Sequence, residues 1–227
     1  MYRGVDVSEF QDEVNWKKAK EEISFAIIRA GYGRNNIDAM ATKNVLGCEE
    51  NGIAYGLYWF SYAYTPEMAR SEARYLINFI KGHVPLYPLY FDFEYDSERY
   101  ANSNGVTVTK QLLNDMARAF CSELESAGYY AGIYANIDYV DKFGEDIFNK
   151  YDLWLAQWEA SKPYKSVNMW QCSSSGKVGG ISGNVDVDYA YVAFPEIIKE
   201  KGLNGYKKEP SFKCPNKCPH CPHSNHG

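Results

Sequence analysis

The strongest constraint on the fold is an alternation between short apolar segments and amphipathic helical segments. Eight segments have the length and composition of strands: 3–7, 24–31, 53–62, 87–94, 129–135, 152–157, 167–172 and 184–189. Helical patterns fall near 14–22, 39–51, 66–81, 108–127, 137–149 and 194–202. Such alternation predicts a mostly parallel sheet, and about eight strands predict closure into an α/β barrel.

The alternation is regular only in the first half of the chain. After residue 150 the predicted strands follow one another with little helix between them, too closely for full βα units. We therefore predict an irregular TIM-like β/α barrel, mostly parallel in its first half and with some antiparallel strands later. A chain of 227 residues is long enough for one such domain.

The last residues have a different composition. We assign residues 1–203 to the barrel and residues 204–227 to a tail rich in Lys, Pro, Cys and His. Three Cys and one His of the tail could form a tetrahedral zinc site: Cys214, Cys218, Cys221 and His223. Their spacing is not that of a standard zinc finger, so a tail without fixed structure and a scavenger of trace metal stay open as alternatives.

Charge and hydropathy exclude some classes of partner. The net charge of −5 argues against nucleic acid as the main partner, because phosphate binding needs a basic face. No apolar run is long enough to span a bilayer. Met1 is followed at once by a predicted strand, so we expect no signal peptide, synthesis in the cytoplasm and a non-classical export route. We expect a monomer.

Two acidic residues, Asp92 and Glu94, stand in one predicted strand between aromatic residues. Side chains two apart in a strand share a face, roughly 7 Å apart along the backbone. In apolar surroundings one carboxyl of such a pair stays protonated near neutral pH while its partner is ionised. This is the chemistry that glycoside hydrolysis requires. The alternative interpretation is a strand end with two solvated acids.

Two further acids lie in strand-like segments at the two ends of the predicted barrel, Asp6 and Asp186, and Asp188 shares a face with Asp186. An acid in an apolar strand is costly to bury without a partner or a function. Functional residues of α/β barrels lie at the carboxyl ends of the strands. A closed barrel also brings its first and last strands side by side, so we expect Asp6, Asp92, Glu94 and Asp186 to form one site.

Aromatic residues near the predicted strand ends could form a groove that stacks on sugar rings. The candidates for substrate binding, including one amide that could bind a sugar hydroxyl, are Tyr32, Phe60, Tyr62, Tyr134, Trp158 and Gln171. Each aromatic ring could instead belong to the core, and Gln171 could pair with another protein group.

Five motifs occur in an order that resembles the family 25 glycoside hydrolases, the muramidases of the Chalaropsis-type lysozyme group. They are Gly4-Val-Asp-Val-Ser-Glu-Phe-Gln11, Tyr90-Phe-Asp-Phe-Glu94, Gly132-Ile-Tyr134, Leu153-Trp-Leu-Ala-Gln-Trp158, and Trp170-Gln171 followed by Gly183-Asn-Val-Asp186. The resemblance runs from Tyr2 to about residue 200. It does not extend to the tail.

The resemblance implies a flattened β/α barrel that cleaves the β-1,4 bond between N-acetylmuramic acid and N-acetylglucosamine in peptidoglycan. It gives Glu94 the role of general acid and Asp92 that of assisting the substrate N-acetyl group or stabilising charge. Asp6 and Asp186 match the other two acids, no cofactor is required, and the family often has Asn where this chain has Asp188. Without a leader, the chain resembles a phage or prophage endolysin released through holin-type pores. The alternatives are a barrel that binds glycan without cutting it and a chitinase-like hydrolase.

Overall fold

The computed structural model describes residues 1–208. Its strands are β1 (Tyr2–Val7), β2 (Phe25–Tyr32), β3 (Asn36–Ile37), β4 (Ala54–Phe60), β5 (Leu89–Asp92), β6 (Ala131–Asn136), β7 (Asp152–Ala156), β8 (Met169–Gly176) and β9 (Val185–Ala190). Its α-helices are α1 (Trp16–Ala19), α2 (Ala41–Asn51), α3 (Pro66–Ile80), α4 (Tyr95–Ser103), α5 (Lys110–Ser126), α6 (Ile137–Val140), α7 (Glu145–Lys150) and α8 (Phe194–Lys201).

All strands except β3 form a closed barrel. Going round it, the order is β1, β2, β4, β5, β6, β7, β8 and β9, and β9 pairs back with β1. Pairing is parallel from β1 to β8, and only β9 runs antiparallel to both of its neighbours. The predicted TIM-like barrel is therefore confirmed, and its parallel character extends further along the chain than predicted.

The period of two along β5 explains how the barrel presents its acids. Leu89 and Phe91 pack outward into the core shared with the helices, whereas Tyr90 packs into the cluster inside the barrel. Asp92 follows the parity of Tyr90 and therefore faces inward, at the carboxyl end of the strand. Strand alternation thus places a carboxyl group at the carboxyl end of β5, facing the apolar interior of the barrel.

The structure differs from the predicted elements around residues 93–150. The strand predicted for 87–94 ends at Asp92, and α4 follows it in a segment for which no helix was predicted. Only Ser97 and Ala101 of α4 are buried, so its sequence has too weak an apolar stripe to signal a helix. The helix predicted over 137–149 is two short helices, because Gly144 begins α7 with an extended backbone.

The barrel also includes a residue just beyond the predicted domain boundary. Asn204 is fully buried and donates from Nδ2 to the carbonyl oxygens of Pro85 and Tyr87, at 2.8 and 3.0 Å. Its Oδ1 accepts from the Tyr130 amide at 2.7 Å. These bonds hold the segment after α8 against the residues that come just before β5 and β6. Within residues 1–208, no helix has the length and apolarity needed to cross a membrane.

Candidate active site

The four predicted acids come together in one small cavity at the carboxyl ends of the parallel strands. Asp6 comes from β1, Asp92 from the end of β5, Glu94 from the residue before α4, and Asp186 from β9. Because β9 is antiparallel to its neighbours, its first residues lie at this face of the barrel, and its last residues do not. The cavity has a volume of about 190 Å³.

Asp92 and Glu94 are two acids of this cavity whose carboxyl groups affect each other's pKa. Asp92 is only 3% exposed, and Glu94 lines the same cavity two residues further along the chain. Burial raises the pKa of both groups, and the neighbouring Glu94 charge raises that of Asp92 further. The pair therefore retains a proton well above the pH at which an exposed carboxyl would lose it.

Glu94 is held from two sides. Its backbone is extended, with φ −133° and ψ −164°, and its amide donates to Ser97 Oγ at 3.0 Å, which begins α4. Asn136, at the end of β6, donates from Nδ2 to Glu94 Oε2 at 3.0 Å. This contact opposes the effect of burial on the Glu94 pKa and fixes the direction of the carboxyl.

The other two acids face each other across the strand pair that closes the barrel. Asp6 lies opposite Asp186 in the β1–β9 register. Burial raises the pKa of Asp186 to about 6. Burial also raises the pKa of Asp6, with further contributions from the negative charges of Asp188 and Asp186. Each added acid in this apolar setting makes it harder for the others to ionise.

Gln171 and Trp158, two predicted substrate contacts, are linked to Asp6. Gln171 is buried and donates from Nε2 to Asp6 Oδ2 at 2.7 Å, while its Oε1 accepts from Trp158 Nε1 at 3.0 Å. The structural pairing considered for Gln171 is therefore present. Trp158 is 50% exposed and presents its ring to solvent beside the cavity.

The remaining predicted aromatic contacts occupy different places. Phe60 and Tyr134 line the cavity of the acids. Tyr62 lies 5.3 Å from Phe60 between ring centroids but lines a neighbouring pocket of about 470 Å³. Tyr32 does not line the cavity; its ring lies 5.4 Å from the Arg29 guanidinium. Phe60 thus connects the cavity with the neighbouring pocket.

Arg29 is a cavity residue that the sequence reasoning did not identify. It is buried, and its Nε and Nη2 bind Asp38 Oδ2 and Glu9 Oε1, each at 2.7 Å. Its guanidinium also lies 4.9 Å from the ring of Phe10, which is 76% exposed. An arginine inside the apolar run of β2 is the signal that could have revealed it. Tyr58 and Trp154 also line the cavity.

The tail candidates for zinc, Cys214, Cys218, Cys221 and His223, lie outside the described residues. The zinc site therefore stays a prediction.

The cavity itself offers carboxyls beside aromatic walls, which suits proton transfer to and from a sugar rather than recognition of a charged polymer.

Comparison with known proteins supports this interpretation. The family model "Glycosyl hydrolases family 25" matches residues 5–181. The uncharacterized protein YegX of Escherichia coli (strain K12) is 24% identical over 217 residues, which are 91% of this chain and 75% of that protein. Lysozyme M1 of Streptomyces globisporus is 26% identical over 197 residues, 81% of this chain and 66% of that protein.

Among solved structures, the modular autolysin LytC of Streptococcus pneumoniae, in complex with synthetic peptidoglycan ligand, is 27% identical with a TM-score of 0.70. The match covers 82% of this chain and 46% of LytC. The barrel is therefore shared with LytC, and the chain spans about half the length of that modular protein. Because the family model covers most of the chain, the chain belongs to family 25 of the glycosyl hydrolases and is an enzyme of the lysozyme type.

Proposed function

We propose that the protein hydrolyses the β-1,4 bond between N-acetylmuramic acid and N-acetylglucosamine in peptidoglycan, with Glu94 as the general acid. The observation that carries this assignment is the placement of Asp92 and Glu94 in the cavity of the acids, where burial raises the pKa of both. Membership of family 25 and the likeness to a lysozyme support the reaction. The likeness to LytC, solved with a peptidoglycan ligand, supports the substrate.

Glu94 has the features that a proton donor needs. It is less deeply buried than Asp92, so it can reach a substrate, and burial raises its pKa above the ordinary value, which favours the protonated form. Asn136 holds its carboxyl toward the cavity. In the proposed step Glu94 protonates the glycosidic oxygen while the bond to the anomeric carbon breaks, leaving positive charge on the sugar ring.

Asp92 is placed to act on the substrate from deeper in the cavity. Its Oδ1 is a buried oxygen without a hydrogen-bond partner among the described residues. An unpartnered buried oxygen is unfavourable, and a donor group on the substrate would relieve that cost. The N–H of the sugar acetamido group is such a donor. We therefore assign Asp92 to orient that group or to stabilise the charge that develops beside it.

Release of reducing ends from purified peptidoglycan tests the proposal. Glu94→Gln is expected to lower the rate by on the order of 10²–10⁴, because it keeps the shape of the side chain but cannot donate a proton. Glu98→Gln is the matched control, since Glu98 lies one turn further along α4 and binds Tyr139 and Lys142 outside the cavity. It should retain the unmodified rate.

Mass analysis of the products decides between the alternatives. Muropeptides that end in reducing N-acetylmuramic acid would support a muramidase, whereas new free amines would exclude it. Preferential cleavage of chitin oligomers would favour the chitinase-like alternative. Binding to several wall types without any cleavage would favour a glycan-binding barrel.

A further inference from the structure

Asp188 is a fifth carboxyl next to the cavity of the acids, and the proposed reaction does not use it. It stands on β9 two residues after Asp186 and is fully buried. The registers place it opposite Gly4 of β1 and opposite Gln171 of β8. The ring of Phe25 fills the space beside Gly4, and Asp6 is the next inward-facing residue of β1.

The hydrogen bonds around Asp188 are incomplete unless a proton is shared. Trp154 donates from Nε1 to Asp188 Oδ1 at 2.7 Å. Asp188 Oδ2 is buried and receives no bond from an N–H or hydroxyl donor of the described residues. The neighbouring Asp6 carboxyl, whose Oδ2 accepts from Gln171, is close enough to hydrogen-bond with Asp188. Two carboxyls can bond in this way only when one of them is protonated.

We propose that Asp188 is a positioning residue that shares a single proton with Asp6, so that this buried pair carries one negative charge rather than two while the enzyme works. The shared proton satisfies Asp188 Oδ2 and fixes the Asp6 carboxyl between Gln171 and Asp188. Its effect on turnover rests on the proposed function, whereas the shared proton itself does not.

The charges around the pair favour this state. The titratable groups near the pair come from several strands: Asp186 on β9, Tyr58 on β4, Tyr90 on β5, Tyr134 on β6 and Cys172 on β8. The cation of the cavity, Arg29, is ion-paired with Glu9 and Asp38 instead. Burial, together with the negative charge of Asp186, raises the pKa of Asp188 to about 8. Burial and the negative charges of Asp188 and Asp186 also raise the pKa of Asp6. Burial and these negative groups oppose a second ionisation, whereas the hydrogen bonds from Trp154 and Gln171 favour it.

The indole N–H of Trp154 gives a direct spectroscopic test, because it donates to Asp188. In protein labelled with ¹⁵N-tryptophan, assigned with Trp154→Phe, this resonance should shift with a midpoint near pH 8. Asp188→Asn should abolish the shift, since an amide can accept from Trp154 and donate to Asp6 but cannot ionise. Asp6→Asn is the second variant and should move the midpoint to lower pH, because the Asp6 charge no longer opposes ionisation of Asp188.

Asp186→Asn is the matched control, because it removes a neighbouring charge but leaves the Asp6–Asp188 pair intact. Its Trp154 resonance should still titrate, with a midpoint lowered by loss of that charge. A wild-type resonance that stays unchanged between about pH 6 and about pH 9 would overturn the proposal. So would a titration that persists with the same midpoint in both Asp188→Asn and Asp6→Asn.

Turnover tests the positioning role separately. The ratio of the Asp188→Asn rate to the wild-type rate should rise above the midpoint, by at most about tenfold per pH unit, because only the wild-type pair gains a second charge. A ratio that stays constant across the titration would refute the positioning role even if the resonance shifts. If neither protein releases reducing ends, the proposed function fails, and the resonance still decides whether the proton is shared.

Discussion

Glu72 offers a quantitative test of how burial is balanced beside the active site. This glutamate of α3 is buried, and it accepts from Ser61 Oγ at 2.6 Å and from the Tyr62 amide at 2.9 Å. Those bonds hold the chain directly after β4, which carries Tyr62 into the pocket beside the cavity. Burial outweighs both bonds and raises the pKa of Glu72 from 4.5 to about 8.

The size of the effect follows from that shift. The folded protein keeps a proton on Glu72 that the unfolded chain releases above about pH 4.5, so stability falls as the pH rises from there to about 8. At about 1.4 kcal/mol for each pKa unit, Glu72 should lower the free energy of unfolding by about 3–4 kcal/mol between pH 5 and pH 8. Glu72→Gln has a similar shape and no charge to lose, so it should escape this loss.

Urea unfolding of both proteins at pH 5 and at pH 8 measures the difference. The free energy of unfolding of Glu72→Gln, relative to the unmodified protein, should increase by about 3–4 kcal/mol between the two conditions. Glu50→Gln, an exposed site on α2, should show no such pH-dependent difference. If the Glu72→Gln difference is the same at both pH values, the two hydrogen bonds stabilise the carboxylate as well as water does, and the reasoning is wrong.

Three further changes test other parts of the structure. Gly47→Ala places a Cβ 2.1 Å from Trp16 Cδ1, so it should cost about 1–3 kcal/mol of unfolding free energy, measured by urea denaturation. Arg29→Leu leaves the buried Asp38 without its cation and should cost about 3–5 kcal/mol, and a cost below 1 kcal/mol would contradict a buried ion pair. Tyr62→Ala should raise KM for long glycan strands with little change in kcat, because its ring lies outside the cavity of the acids.

The strand pattern in the sequence predicted the barrel and most of the site. For Glu94 the predicted position is correct, but the predicted strand does not extend that far. Alternation along a strand over 87–94 was the argument for placing Asp92 and Glu94 together, yet the strand ends at Asp92. Glu94 still reaches the same cavity because its backbone stays extended before α4 begins. A local pattern was sufficient here, since the two acids are two residues apart.

Contacts between distant segments were beyond that reasoning. Arg29 meets Glu9 and Asp38 from segments 20 and 9 residues away, and the composition of β2 indicates a buried charge but not its partner. The closing strand β9 was predicted, but its antiparallel pairing with β1 depends on how the whole barrel closes. The hydrogen bond from Trp154 to Asp188 spans 34 residues and follows from the same closure.

The pairing of β1 with β9 means that the chemistry depends on the synthesis of β9. Until β9 has left the ribosome, β1 has an unpaired edge, Asp6 faces water, and Asp186 has not arrived. A nascent chain can thus fold strands and helices early, but it has no assembled proton-transfer centre, since contacts this far apart in sequence form last. A partial chain without β9 lacks Asp186 and the part of the cavity that β9 supplies, so it should have no hydrolytic activity.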